Sequence, residues 1–381
     1  MPHWQVPLAD VVVTDEDIGV ISDVYRSGWL SMGPRTEELE ARLAGYVGAR
    51  HAVAVSSGTA ALHLMCLAAG FGPGDEVIVP SMTFVATANA VAYTGARPVF
   101  ADVISLTEPW LSVDAVRALI TDRTRGVMAM SYGGHPGQIA ELVALCAERD
   151  IVLLEDAAHG LGSRLGERHV GTFGKAGAFS FFSNKNLAVG EGGAIVTDDD
   201  DFDRRLRLLR SHGMTTLTWD RHRGHASGYD VVALGFNYRI DEPRAALAAA
   251  RLERLDAENH ERARLDATYR QRLGALPLAC ALPTADPVRS AHHLFCVVLD
   301  EGQDRDAFRA RLVDAQIQTS IHYPPVHRFS IYGEQPSLPV TEAYAQRTVT
   351  LPMFAHMTEA QQDLVIEAVA AAVTEPTAQT R

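Results

Sequence analysis

The chain has 381 residues, 47% of them hydrophobic and 21% charged, and a net charge of −13. That length suits one large domain plus a smaller one, and that composition excludes a disordered chain. The acidic balance excludes a broad nucleic-acid surface, which needs a basic face, yet leaves room for a locally positive pocket.

The pattern predicts a helix over 14–27, with Thr14 as its cap and Gly28 as its stop. A turn, Trp29 to Pro34, precedes a helix near Thr36–Tyr46. An alternation then begins. His51–Val55 reads as a strand, and Ser56-Ser57-Gly58-Thr59 opens a helix to about Ala69. Glu76–Val79, Arg97–Phe100, Gly126–Met130 and Ile151–Leu154 read as strands. Helices near Thr83–Tyr93, Ser112–Ile120 and Gly137–Arg149 separate them. Such alternation means crossover units and a mostly parallel sheet, with ligands outside the carboxyl ends of the strands.

Next come two short apolar runs, Ala178–Phe182 and Ala194–Val196, with Lys185 and a glycine-rich segment between them. Both runs read as buried strands. Only two lysines occur, Lys175 and Lys185; every other basic side chain is arginine or histidine. Arginine cannot be deprotonated, so it cannot replace a nucleophilic amine. Lys185, at the mouth of an apolar site, is the candidate for carbonyl attack. Lys175, in the polar turn Gly171 to Gly177, reads as a surface lysine.

Beyond Val196 the pattern weakens. Asp201–Ser211 looks helical, Gly213–Leu234 irregular, and Asp241–Leu273 is a long helix that links to a smaller α/β unit. In that unit His293–Leu299 and Gln318–Ile321 read as strands, and Asp304–Ala315 and Glu359–Val373 as helices. The four cysteines sit in apolar contexts, with no metal or disulfide spacing. The start, MPHWQVPLAD, lacks a signal-peptide pattern, and no apolar run is long enough to span a bilayer. A cytoplasmic enzyme without membrane contact is the expectation.

Four segments converge at the expected strand ends. Ser57-Gly58-Thr59 reads as a phosphate loop at a helix N-terminus, or simply as a helix cap. Asp156 follows a buried strand, where a carboxylate is costly unless it meets a cation or caps a helix. Phe84 reads as a stacking face or as core. Lys185 with Ser180 is the fourth. Phosphate loop, aromatic face, carboxylate and lysine, in this order along the chain, together describe a site for pyridoxal phosphate.

The chain resembles the DegT/DnrJ/EryC1/StrS family of pyridoxal-phosphate sugar aminotransferases. The likeness rests on SGWLSMGPRTEELEARLAGYVGA, SSGTAALHL, GDEVIVPSMTFVATANAV, EDAAHGLGS, FSFFSNKNLAVGEGGAIVTDD, GFNYRIDEPRAALA and HYPPVH, and runs from about Val12 to Val373. It implies an α/β fold of fold type I. That means a large domain over 1–250, with a mostly parallel seven-stranded sheet flanked by helices, and a small C-terminal α/β domain over 251–381. It implies that Lys185 is the Schiff-base lysine and proton carrier, and that Asp156 pairs with the pyridine nitrogen. Gly58, Thr59 and Ser180 would bind the phosphate, and Phe84 would cover the ring. Asn237 would reach the phosphate of the other subunit, so a homodimer would share its active sites. Arg239, His322 and Tyr323 are candidates for holding substrate, with His322 equally a structural histidine.

One departure stands out: His159 occupies a position where the family commonly has glutamine. Histidine can still hydrogen-bond the cofactor's ring oxygen or stack on it. The stretch Met214–Leu234, with Trp219, His222, His225 and Tyr229, reads as a substrate-shaping loop.

The implied reaction moves an amino group from glutamate or glutamine, through pyridoxamine phosphate, to a nucleotide-linked keto-deoxysugar. Carbon 4 of a dTDP-4-keto-6-deoxyhexose is the first expectation; carbon 3 and an aminocyclitol are alternatives. A different class, a cofactor-binding regulatory protein without turnover, is disfavoured by the presence of both Lys185 and Asp156. The dehydrating branch of the family, with histidine in place of the lysine, is set aside because this chain has Lys185. A Rossmann dehydrogenase lacks its G-x-G-x-x-G here, and a P-loop enzyme its Walker sequence.

Overall fold

The computed structural model describes residues 4–216, 224 and 228–374. Trp219, His222 and His225 lie outside the described residues.

Helix α1 (Asp15–Ser27) opens on a reciprocal cap: Thr14 accepts from the Asp17 N–H, and the Asp17 side chain accepts from the Thr14 N–H. It ends at Gly28, whose φ of 73° is left-handed. Helix α2 (Pro34–Val47) starts at Gly33 with no side-chain cap of its own. Glu242, distant in sequence, takes that role. Its carboxylate accepts from the N–H groups of Gly33, Arg35 and Thr36 at 2.7–2.9 Å. A buried carboxylate is thus satisfied by a helix N-terminus.

The alternating part forms β1 (His51–Val55), α3 (Gly58–Ala68), β2 (Glu76–Pro80), α4 (Ala86–Ala92), β3 (Arg97–Ala101), α5 (Val113–Leu119), β4 (Thr124–Met130), α6 (Ile139–Glu148) and β5 (Val152–Asp156). Two short strands follow, β6 (Arg164–Leu165) and β7 (Arg168–His169), then β8 (Ala176–Ser180), β9 (Gly193–Thr197) and α7 (Asp200–Arg210). Seven strands make one sheet in the order β1-β9-β8-β5-β4-β2-β3. Only β9 runs against the others. The mostly parallel sheet expected from the sequence is therefore what forms. Its strands are apolar and buried on both faces, as crossover helices require.

Helix α8 (Glu242–Leu273) is shared between two cores. Ala245, Ala248, Leu252 and Leu255 pack with β1, β8 and β9 residues. Leu265, Tyr269 and Leu273 pack with the C-terminal elements. Those elements are β10 (Leu278–Cys280), β11 (Val288–Arg289), β12 (Phe295–Leu299), α9 (Arg305–Asp314), α10 (Pro339–Arg347), β13 (Thr348–Leu351) and α11 (Glu359–Thr374). Strands β10, β12 and β13 form an antiparallel sheet, and β11 joins β6 and β7 in another.

Two expectations shift. The helix expected over 83–93 begins at Ala86, because Thr83 is buried with its hydroxyl 2.6 Å from that of Thr87. The strand expected over 318–321 is absent; Ile317 and Ser320 make only single bridges, to Val6 and Thr350. Among the described residues no helix is long and apolar enough to cross a membrane. All four thiols are unpaired.

Candidate active site

The sheet's register brings the anion cradle together. Val55 pairs with Gly193, and Gly193 pairs with Ser180. Ser57 and Gly58 follow Val55 directly, so the start of α3 lies against Ser180. A Cβ at Gly58 would sit 2.8 Å from the Ser180 Cβ, and one at Gly193 would sit 2.7 Å from the Phe179 carbonyl oxygen. Both positions require glycine for close backbone approach. Ser57 caps α3 by accepting from the Ala60 N–H at 3.0 Å. The Ala61 N–H goes to the Ser57 carbonyl. Neither bond uses the first-turn N–H groups of Gly58 and Thr59, which stand at the positive end of the helix beside a half-buried hydroxyl. Ser57-Gly58-Thr59 is therefore a cap whose remaining first-turn N–H groups could receive an anion.

Asp156 ends β5 and is 2% exposed. Its Oδ2 accepts from the Thr87 hydroxyl at 2.6 Å, and its Oδ1 accepts from the Ala158 N–H at 3.2 Å. No helix follows it, so the capping alternative falls. Burial raises its pKa; the Thr87 bond and nearby Lys185 oppose that rise. A carboxylate in this state gains from a cation placed against it. The neighbouring Glu155 points to the opposite face, where it accepts from the Gly171 and Gly174 N–H groups at 2.7 Å.

Lys185 stands between β8 and β9, half-buried. Burial pushes its amine down to about 8, against the pull of Asp156. Lys175, by contrast, is ion-paired with Asp199 at the surface. Phe84 is 52% exposed, which removes the core alternative, and its ring lies 5.8 Å from that of Tyr323.

His159 is 2% exposed and uses both nitrogens. Nδ1 accepts from the Gly133 N–H at 3.2 Å, and Nε2 lies 3.0 Å from the Tyr323 hydroxyl. Burial, helped by positive Lys185, pushes its pKa well down, so the ring is neutral. With Nδ1 accepting, the proton is on Nε2 and is donated to Tyr323. The Tyr323 hydroxyl proton is then available to a further acceptor. The ring nearest to that of His159 is His293, with centroids 4.2 Å apart.

His322 lies 2.9 Å from the Thr350 hydroxyl through Nδ1 and lines a narrow cavity with Lys185. Asn237 is exposed, bridged to Ser211, and Arg239 is half-buried with its pKa lowered by burial and by Arg210. Among the described residues, neither joins the Asp156–Lys185–Ser180 group through a hydrogen bond. Thr87 is the site residue that sequence reasoning missed. The only signal was a hydroxyl three residues after Phe84 in an apolar segment.

A helix N-terminus with a hydroxyl, a buried carboxylate that gains from a cation, an exposed ring face and a depressed amine fit pyridoxal phosphate part by part. Among the described residues no group of side chains suits a metal ion.

The comparisons agree. Residues 12–370 match the model of the DegT/DnrJ/EryC1/StrS aminotransferase family. The chain is 37% identical over 376 residues to the spore coat polysaccharide biosynthesis protein SpsC of Bacillus subtilis (strain 168), covering 96% of each. It superposes on the aminotransferase TlmJ from Streptoalloteichus hindustanus with a TM-score of 0.91 and 34% identity, covering 96% of this chain and 98% of that one. It superposes on S. venezuelae DesV, solved in complex with a ketimine intermediate, with a TM-score of 0.88 and 37% identity, covering 95% of each. The family depends on pyridoxal phosphate. The chain belongs to the DegT/DnrJ/EryC1/StrS family and is a pyridoxal-phosphate-dependent sugar aminotransferase.

Proposed function

We propose that the enzyme moves an amino group from glutamate or glutamine to a nucleotide-linked keto-deoxysugar, first of all carbon 4 of a dTDP-4-keto-6-deoxyhexose. The observation that carries the chemistry is the pairing of a depressed amine, Lys185, with the buried, doubly hydrogen-bonded carboxylate of Asp156. Bound here, pyridoxal phosphate supplies an aldehyde for the migrating nitrogen and a ring that accepts electrons.

The chain's own residues do the rest. Lys185 Nζ, partly neutral near pH 8, would hold the cofactor through its aldehyde and, once released, would move a proton at the reacting carbons. Asp156, held by Thr87, keeps a positive ring nitrogen positive. Gly58, Thr59 and Ser180 take the phosphate, and Phe84 covers the ring. His159 holds Tyr323, whose hydroxyl proton is left for the substrate, and His322 and Arg239 would help to hold that substrate.

Support for a sugar comes from SpsC, whose name places it in polysaccharide biosynthesis. Carbon 3 and an aminocyclitol remain the alternatives for the acceptor. A regulatory protein without turnover is disfavoured because Lys185 and Asp156 are both present and poised.

We also infer a homodimer with shared sites. Asn237 is exposed, and large apolar side chains are uncovered: Phe84 at 52%, Phe182 at 44% and Tyr93 at 58%. A second copy would cover them. Four unpaired thiols suit the cytoplasm.

A panel of nucleotide keto-sugars, offered with glutamate and with glutamine, tests this reading. Products identified by mass and NMR should be amino-sugars. Amination of free keto acids alone, with no sugar accepted, would contradict it.

A further inference from the structure

Arg262 is 8% exposed on α8, and it differs from the other buried arginines. Arg251 pairs with Asp17, Arg210 with Glu40 and Asp266 with Arg270. Arg262 makes no ion pair among the described residues. Its hydrogen bond is a long one, Nη1 donating to Asn259 Oδ1 at 3.4 Å. The carboxylates one turn or less away on the same helix are taken: Glu258 by Arg254 and Glu261 by Arg264. Burial pushes the Arg262 guanidinium down to about 10, which is the mark of a cation short of an anion.

Arg262 also lines two cavities that reach Lys185. One is wide, about 360 Å³, and is walled by α8 and the segment from Asp10 to Thr14. The other is narrow, about 40 Å³, and includes Asn186, His293, His322 and Thr350. The Asn186 amide nitrogen donates to Asn259 Oδ1 at 2.7 Å, so the residue after Lys185 and the partner of Arg262 are already joined.

We propose that Arg262 receives a carboxylate of the amino-acid donor, on the side of the cleft next to Lys185. A planar guanidinium matches a carboxylate bidentately. The narrow cavity has room for a group of a few atoms, as a carboxylate is, whereas the wide one admits something larger, so a diphosphate is the rival occupant that the test must separate. An amino acid carries a carboxylate on the very carbon whose nitrogen reacts, so one small molecule reaches both Lys185 and Arg262. The proposal rests on the reading that an amino acid is the donor.

The test uses the pyridoxal-phosphate-loaded enzyme, with succinate as an unreactive carboxylate probe and UDP as a diphosphate probe, both followed by calorimetry. Arg262→Gln should weaken succinate at least about tenfold, the range for one charge-assisted contact, and leave UDP unchanged. The KM for glutamate should rise more than kcat falls, and Arg262→Lys should lie between. Should Arg262→Gln not fold, phenylglyoxal labelling of the wild type decides, since succinate should protect Arg262. Undiminished succinate binding in a folded Arg262→Gln, a loss of UDP binding instead, or no protection would overturn the assignment. If wild type exchanged its amino group with no amino acid, the donor reading itself would fail and take the proposal with it.

Discussion

Thr87 donates its hydroxyl proton to Oδ2 of Asp156 at 2.6 Å, from a helix on one strand crossover to a carboxylate at the end of another. That bond favours the charged carboxylate where burial disfavours it. Thr87→Val keeps the shape and removes the donor. Turnover should fall about tenfold, the value of roughly one hydrogen bond to a charged group, while cofactor still binds. Thr87→Ser should restore it. Asp156→Asn removes the charge itself, so its turnover should fall by orders of magnitude. Near-normal turnover in Asp156→Asn would remove the role given to this carboxylate.

Gly58 and Ser180 leave no room for a further carbon between them. Gly58→Ala should weaken cofactor binding more than about tenfold, because the cradle must open to admit the methyl group. Ser180→Gly in the same chain frees that space. The double variant should therefore recover part of the loss if crowding is the cause. Equal cofactor affinity in wild type and Gly58→Ala, by fluorescence titration, would show that this loop does not take the phosphate.

The pH behaviour of Lys185 follows from two opposing influences. Burial lowers its pKa to about 8, and the negative charge of Asp156 raises it. Below that pKa the amine is protonated and inert. In cofactor-free protein, its reaction with an aldehyde probe should reach half its maximum near pH 8. In Asp156→Asn the raising influence is gone, so the midpoint should move to lower pH. An upward move would mean the two groups are not coupled as the geometry implies. The linked stability has a sign as well. The folded pKa lies below that of a free lysine, so the folded chain binds fewer protons between the two values. This group therefore makes the cofactor-free protein more stable as pH rises through that window.

Lys185 was legible in the sequence because the chain otherwise writes arginine, so a persisting amine stands out. Asp156 was legible from its place at the end of an apolar run. The parallel sheet was legible because its strands are uninterrupted apolar segments between helical ones. Thr87 was not, since its meaning depends on how α4 docks over β5. Arg262 was hidden for the reason that exposed Lys185: one more arginine in an arginine-rich chain carries no signal until its missing partner is seen. The strand expected over 318–321 failed because single bridges at Ile317 and Ser320, not a ladder, hold that segment.

Asn237 is exposed in the single chain, and the proposed dimer would place it on the neighbour's phosphate. Lys185→Ala and Asn237→Ala, each inactive alone, should complement when mixed after reversible dissociation. One site of each mixed dimer would then be intact, restoring up to about a quarter of wild-type sites for a two-fold dimer. No gain over the separate variants, once subunit exchange is confirmed, would assign Asn237 to its own chain's site or to the fold.

Lys185 as the amine that binds the cofactor is the central claim, and borohydride reduction tests it most directly. The purified, cofactor-loaded protein should absorb as a yellow species, lose that band on reduction, and retain the cofactor covalently through denaturation. Peptide mapping by mass spectrometry should find the cofactor's mass on Lys185, and Lys185→Ala should carry none. Because the chain has just two lysines, the map has one clear alternative. A label on Lys175, or a wild-type protein that retains no cofactor after reduction, would contradict the account.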